Sequence, residues 1–168
     1  MKRNTLLLTL VAMMLLAASS SVSADPGPSQ EMKDAQFFVG TWSCTHTEGR
    51  VSGTYTTTIT KVLDNIWFRQ TYDFAATTAD PGFQAEYFFG YDPRVQRWVR
   101  FGAFSTGMYF AMVGKRTNDT WSWTYVLPAA NASAVYTKRS DSEYTVEGPS
   151  YTMNGTPVTE RHVCKKES

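Results

Sequence analysis

FVGTWSCTHTEG, residues 38–49, sets Trp42, Cys44, His46 and Glu48 at every second position. Residues two apart in a β-strand point to the same face. One face of this strand therefore carries an indole, a thiol, an imidazole and a carboxylate, and the other carries Thr41, Ser43, Thr45 and Thr47. The chain has one other histidine and one other cysteine, both near its end in Glu160-Arg161-His162-Val163-Cys164. There the same residue types recur at the same spacing in reverse order. In an antiparallel ladder the numbers of every facing pair share one sum. Setting Cys44 opposite Cys164 then brings His46 to His162 and Glu48 to Glu160. The expectation is a Cys44–Cys164 disulfide on a seam between the first and last strands, with an imidazole pair and a carboxylate pair beside it.

Outward from this stretch, strand follows strand. Ser29 can cap a short helix in which Met32, Ala35 and Phe38 share a face. Residues 53–63 are Thr-rich and β-branched, and residues 65–75 put Phe68, Tyr72 and Phe74 on one side. Leu63-Asp64-Asn65 predicts a tight turn between them. Asp92-Pro93-Arg94 predicts a type I turn between strands at 84–91 and 95–104. Further strands are expected at 108–113, 121–127, 132–139, 143–147 and 156–165. About ten short strands joined by short turns predict an all-β fold, an antiparallel up-and-down barrel behind one short N-terminal helix. Closure of such a meander removes both edge strands.

Residues 1–24 read as a secretory signal: Lys2 and Arg3, a mostly apolar run from Leu6 to Ala18, then Val22-Ser23-Ala24 as a cleavage site. The apolar run is shorter than the roughly 20 residues a spanning helix needs, so no stable membrane insertion is expected after cleavage. Residues 25–28, Asp-Pro-Gly-Pro, form a linker, and residues 29–168 form one barrel domain. Loss of Lys2 and Arg3 takes the formal net charge from +1 to −1. That balance lacks the basic excess of a nucleic-acid partner. Export to a secreted or periplasmic location makes the disulfide the expected state of the two cysteines.

Five Trp, nine Tyr and ten Phe are a heavy aromatic load. Trp42, Phe68, Tyr72, Tyr87, Phe89, Trp121 and Trp123, with His46 and His162, are the candidate lining of a pocket for a small hydrophobic ligand. His46, His162, Glu48 and Glu160 are the candidate metal ligands, because two imidazoles and a carboxylate with an open position suit zinc. A barrel enzyme would draw on the same four residues. A filled barrel serving as a structural or interaction module is the remaining alternative. No G-x-S-x-G, phosphate loop or C-x-x-C occurs, so no catalytic residue is assigned. The sequence requires no cofactor and does not determine an oligomeric state. Arg100 and Arg161 read as outward, solvated residues; the alternative sets one of them over the Trp42 ring.

Gly40-Thr41-Trp42 after a short helix resembles the G-x-W opening of the lipocalin/calycin barrels, whose Trp plugs one end. Phe89-Gly90-Tyr91-Asp92-Pro93 with Arg97-Trp98 is similar to the central motif of exported bacterial lipocalin-like domains of unknown function. Tyr136-Thr137-Lys138, Ser140-Asp141-Ser142-Glu143-Tyr144 and the closing Cys164-Lys165-Lys166 resemble the end of the same chains. The resemblance implies a barrel and an exported compartment, and no reaction. Related ten-stranded haem-binding barrels use a late-strand histidine as iron ligand. His162 is late, but its surrounding sequence departs from their pattern.

Overall fold

The structure, a computed structural model, describes residues 27–49, 51–75, 82–128, 132–153 and 156–168. The signal segment and the first half of the linker lie outside the described residues.

A short helix α1 (Gln30–Asp34) runs into a 3₁₀ turn (Ala35–Phe38). Ten strands follow: β1 (Gly40–Glu48), β2 (Val51–Val62), β3 (Trp67–Phe74), β4 (Phe83–Asp92), β5 (Arg97–Phe104), β6 (Tyr109–Thr117), β7 (Thr120–Leu127), β8 (Ser133–Ser140), β9 (Glu143–Met153) and β10 (Thr156–Lys166). Each pairs antiparallel with its neighbour in sequence, and β1 pairs with β10, so the sheet closes into a barrel. The seam has the expected register: Cys44 faces Cys164, His46 faces His162 and Glu48 faces Glu160. The disulfide is formed, with Cα atoms 4.0 Å apart across a sequence separation of 120.

Turn chemistry explains the short connections. Leu63, Asp64 and Asn65 all take positive φ, a region that Asn and Asp tolerate better than most residues. At the next turn the Asp92 carboxylate accepts the Arg94 backbone N–H at 3.0 Å. The helix ends sooner than the spacing of Met32, Ala35 and Phe38 suggests, but all three of those side chains are buried. The Ser29 hydroxyl caps it by accepting Met32 N–H at 3.2 Å.

Strand β9 runs past the expected end at Glu147. Gly-Pro ordinarily breaks a strand, yet here Gly148 and Pro149 sit at a register shift opposite Glu160 and pairing resumes at Ser150. Gly148 has φ +98°, and a β-carbon there would collide with the Ser133 carbonyl oxygen. The bulge is thus built on a residue that has to be glycine.

The barrel is packed at one end. Trp42, Trp98, Trp121, Tyr144 and Phe68 are fully buried there, with Phe38 wedged against Trp121, Tyr144 and Phe89 at ring separations of 5.0, 5.6 and 5.7 Å. The Trp42 indole N–H donates to the Phe38 carbonyl at 2.7 Å, tying the plug to β1. Lys166 donates to the Phe37 carbonyl at 3.0 Å and lies 5.1 Å from the Trp42 ring. Lys166, not Arg100 or Arg161, is therefore the cation over that indole. Outside the plug, Arg116 pairs with Asp34 at 2.7 Å, and the Trp98 indole donates to Glu31 at 3.2 Å. Among the described residues no helix is long and apolar enough to cross a membrane.

Candidate functional site

The other half of the barrel is hollow. A cavity of about 960 Å³ opens at the end away from the helix, walled by Tyr72, Phe74, Phe83, Phe104, Phe110 and Tyr125. That is the upper part of the range for small-molecule sites, about 300–1,000 Å³. Strand alternation explains the division along the axis. On β1, Trp42 and Cys44 face the plug and His46 and Glu48 reach the cavity. On β10, Cys164 faces the plug, and His162 and Glu160 reach the cavity. Of the expected lining, His46, His162, Tyr72 and Tyr87 border this cavity. Trp42, Phe68, Phe89, Trp121 and Trp123 do not; they belong to the packed half. Alternation identifies inward faces but says nothing of depth along the barrel axis, so those five aromatics read as lining when they are plug.

At the cavity wall the two imidazoles lie 4.8 Å apart between ring centres, tilted by 32°. His46 Nε2 is 3.8 Å from the Glu48 carboxylate, and His162 Nε2 is 3.5 Å from that of Glu160. His162 Nδ1 and the Tyr55 hydroxyl share a 3.0 Å hydrogen bond. The Tyr55 hydroxyl also lies 3.8 Å from Cys164 Sγ. Burial, and then the facing His162, hold the pKa of His46 below the usual imidazole value, with Glu160 opposing. Burial, and then Glu160, push Glu48 up. Donor atoms of His46, Glu160 and His162 all lie within 4.8 Å of one another. Glu48, the fourth expected ligand, is outside that cluster, 3.8 Å from His46 Nε2.

Arg100 overturns its expected outward position. It is 3% exposed and stands at the floor of the cavity, where the hollow half meets the plug. Its guanidinium donates to Gln70 Oε1 at 3.0 Å and to the Tyr72 hydroxyl at 3.3 Å. It lies 4.8 Å from the Tyr87 ring and 4.9 Å from the Tyr136 ring. Its Nε has no hydrogen-bond partner. Among the described residues the arginine ion pairs engage Arg69, Arg94, Arg116 and Arg161, and no carboxylate faces Arg100. Burial pushes the hydroxyls of Tyr87, Tyr136 and Tyr144 upward, and takes Tyr125 to about 12. All four are neutral phenols, so this cation is countered only by dipoles and ring faces. Arg161 does lie outside, pairing with Glu147 at 3.1 Å. The sequence signal for Arg100 was its place in the alternation of β5, in step with buried Trp98.

A separate polar concavity of about 580 Å³ lies on the outer face of β2–β5, around Thr56, Thr58 and Thr71. It gathers hydroxyls and no buried charge.

Fold and site together define a closed ten-stranded antiparallel barrel, plugged at one end and open to an aromatic cavity at the other. No protein-family model and no curated protein matches the chain. Among solved structures, a redesigned β-barrel is similar at a TM-score of 0.46 and 11% identity, over 80% of this chain and 95% of that one.

Proposed function

We propose that this protein is an exported, lipocalin-like carrier that binds a small amphipathic anion in its barrel. The anionic head would meet Arg100 at the floor, and the apolar body would lie against Phe74, Phe83, Phe104 and Phe110. The signal-like residues 1–24 and the disulfide support export, because such bonds persist in oxidising compartments. The G-x-W opening and the plug built on Trp42 support the lipocalin-like kinship.

The observation that carries the proposal is the buried, unpaired guanidinium. Taking a charge out of water costs several kcal/mol unless a counter-charge meets it. Arginine does not escape by losing its proton. A carboxylate or similar anion entering the cavity would supply the missing partner in bidentate geometry, while the aromatic walls take up the rest of the molecule. Haem fits the site poorly: the Glu160 carboxylate stands 3.5 Å from His162 Nε2, where the porphyrin plane around a bound iron would have to lie.

The test is competition against a fluorescent fatty-acid probe with a C12 carboxylate and the matching C12 alcohol. The carboxylate is expected to bind at least about tenfold tighter, a difference of about 1.4 kcal/mol, and Arg100→Met should abolish that preference while the alcohol still binds. Absence of probe binding by the wild-type protein, or an unchanged preference in a folded Arg100→Met variant, would overturn the proposal.

A further inference from the structure

A second site is independent of the Arg100 reading and stands on different residues. We infer that His46, His162 and Glu160 bind a divalent transition-metal ion of the zinc class on the cavity wall, with its open coordination position facing the cavity.

Three observations converge on the ion. First, the donors come from adjacent strands in a register held by the disulfide: His46 directly faces His162, and Glu160 lies two residues before His162 on the same face. Their donor atoms lie within 4.8 Å of one another. A tetrahedral ion with bonds of about 2.0–2.2 Å needs donors about 3.4 Å apart. The half-buried side chains therefore have to close by at most about 1.4 Å, which χ rotations of the three side chains provide.

Second, the donor set is chemically selective. Two imidazoles and one carboxylate with a vacant fourth position is an open zinc set. Magnesium and calcium prefer oxygen donors throughout.

Third, His162 is oriented from behind. Metal-bound histidines hand their other ring N–H to a fixed partner, which sets the tautomer. The Tyr55 hydroxyl occupies that place at Nδ1. It also has somewhere to send its own hydrogen. A disulfide sulfur carries no proton, so in the contact with Cys164 Sγ the hydroxyl is the donor. With that hydrogen turned to sulfur, the Tyr55 oxygen is free to accept Nδ1–H, and an ion bound at Nε2, the nitrogen that faces Glu160, selects this tautomer. Tyr55 is buried and stacked on Phe74 at 4.2 Å, so it cannot swing away. It is a positioning residue. Glu48 falls outside the set.

The disulfide-bonded protein, stripped with chelator, is titrated with zinc alone by calorimetry, with magnesium as the control. One zinc per chain and no magnesium heat are expected. His46→Gln and His162→Gln should each weaken zinc binding by at least about 100-fold, and Glu160→Gln and Tyr55→Phe by about 10–100-fold. Glu48→Gln should stay within about threefold of wild type. Cobalt(II) in place of zinc should give a tetrahedral visible spectrum that Tyr55→Phe alters. Thermal unfolding of each variant separates lost binding from lost fold. No zinc binding by the wild-type protein would overturn the inference. So would unchanged affinity in folded His46→Gln and His162→Gln, or a loss in Glu48→Gln as large as that in Glu160→Gln.

Discussion

At the scale of single residues, the barrel holds its polar groups in states that water would not favour. His46 is the clearest case for pH. Its pKa is lowered in the fold by burial and by the facing His162, so the folded chain takes up its proton at lower pH than the unfolded chain, which does so near about 6.5. In that window the unfolded state holds more protons, and stability rises with pH. In chelator-treated protein the urea midpoint should therefore fall as pH drops from 7.5 through the low sixes to 5. His46→Gln should flatten that fall. Parallel curves for the two proteins would sink the assignment. Glu48, raised by burial and by Glu160, works with the opposite sign: its protonated form favours the fold, and that contribution fades as pH rises through its folded value. The two slopes have opposite signs, so His46→Gln and Glu48→Gln separate them. The facing of His46 and His162 was readable from the sequence, whereas the burial that dominates the His46 shift was not. Nor was Arg100, because arginine is so rarely buried that only the surrounding Gln70, Tyr72, Tyr87 and Tyr136 make its inward place intelligible.

At the scale of elements, the bulge in β9 does for Glu160 what the disulfide does for the histidines. The extra residue at Gly148–Pro149 sits opposite Glu160 and lets β9 continue to Met153 beside the cavity. Gly148 combines a left-handed φ with a backbone oxygen where a β-carbon would be. Gly148→Ala should therefore destabilise the protein by about 1–3 kcal/mol, far more than the same change at Gly53, which has open space around it and no left-handed φ. Chemical denaturation of both variants checks this; equal midpoints would mean the bulge relaxes without cost. The sequence reading ended this strand at Glu147 because Gly-Pro is a turn signal. The signal is local, whereas the bulge exists because β10 continues to pair on the far side. The turn at Leu63-Asp64-Asn65 was legible for the converse reason: its chemistry is contained in its own residues.

At the scale of the whole molecule, the seam between β1 and β10 closes the barrel, and the disulfide locks it across 120 residues of chain. Cys44 and Cys164 are fully buried, so reductant should reach the bond only when the seam opens. Reduction in denaturant followed by thiol blocking should cost about 2–4 kcal/mol on refolding, read as a lower unfolding midpoint. Denatured but unreduced protein should show no thiol to a labelling reagent; two labelled cysteines would refute the bond. The sequence by itself determined the all-β barrel, the helix that precedes it, the disulfide and the pairing of His46 with His162. The helix follows from its cap and the spacing of Met32, Ala35 and Phe38, and the rest from period-two alternation and from the one register that joins two cysteines in antiparallel strands. Only the tertiary structure decided which inward residues plug the barrel and which line the cavity, and that Arg100 lies inside. Alternation specifies a face, whereas depth along the axis depends on strand tilt and closure. Those depend on all ten strands at once.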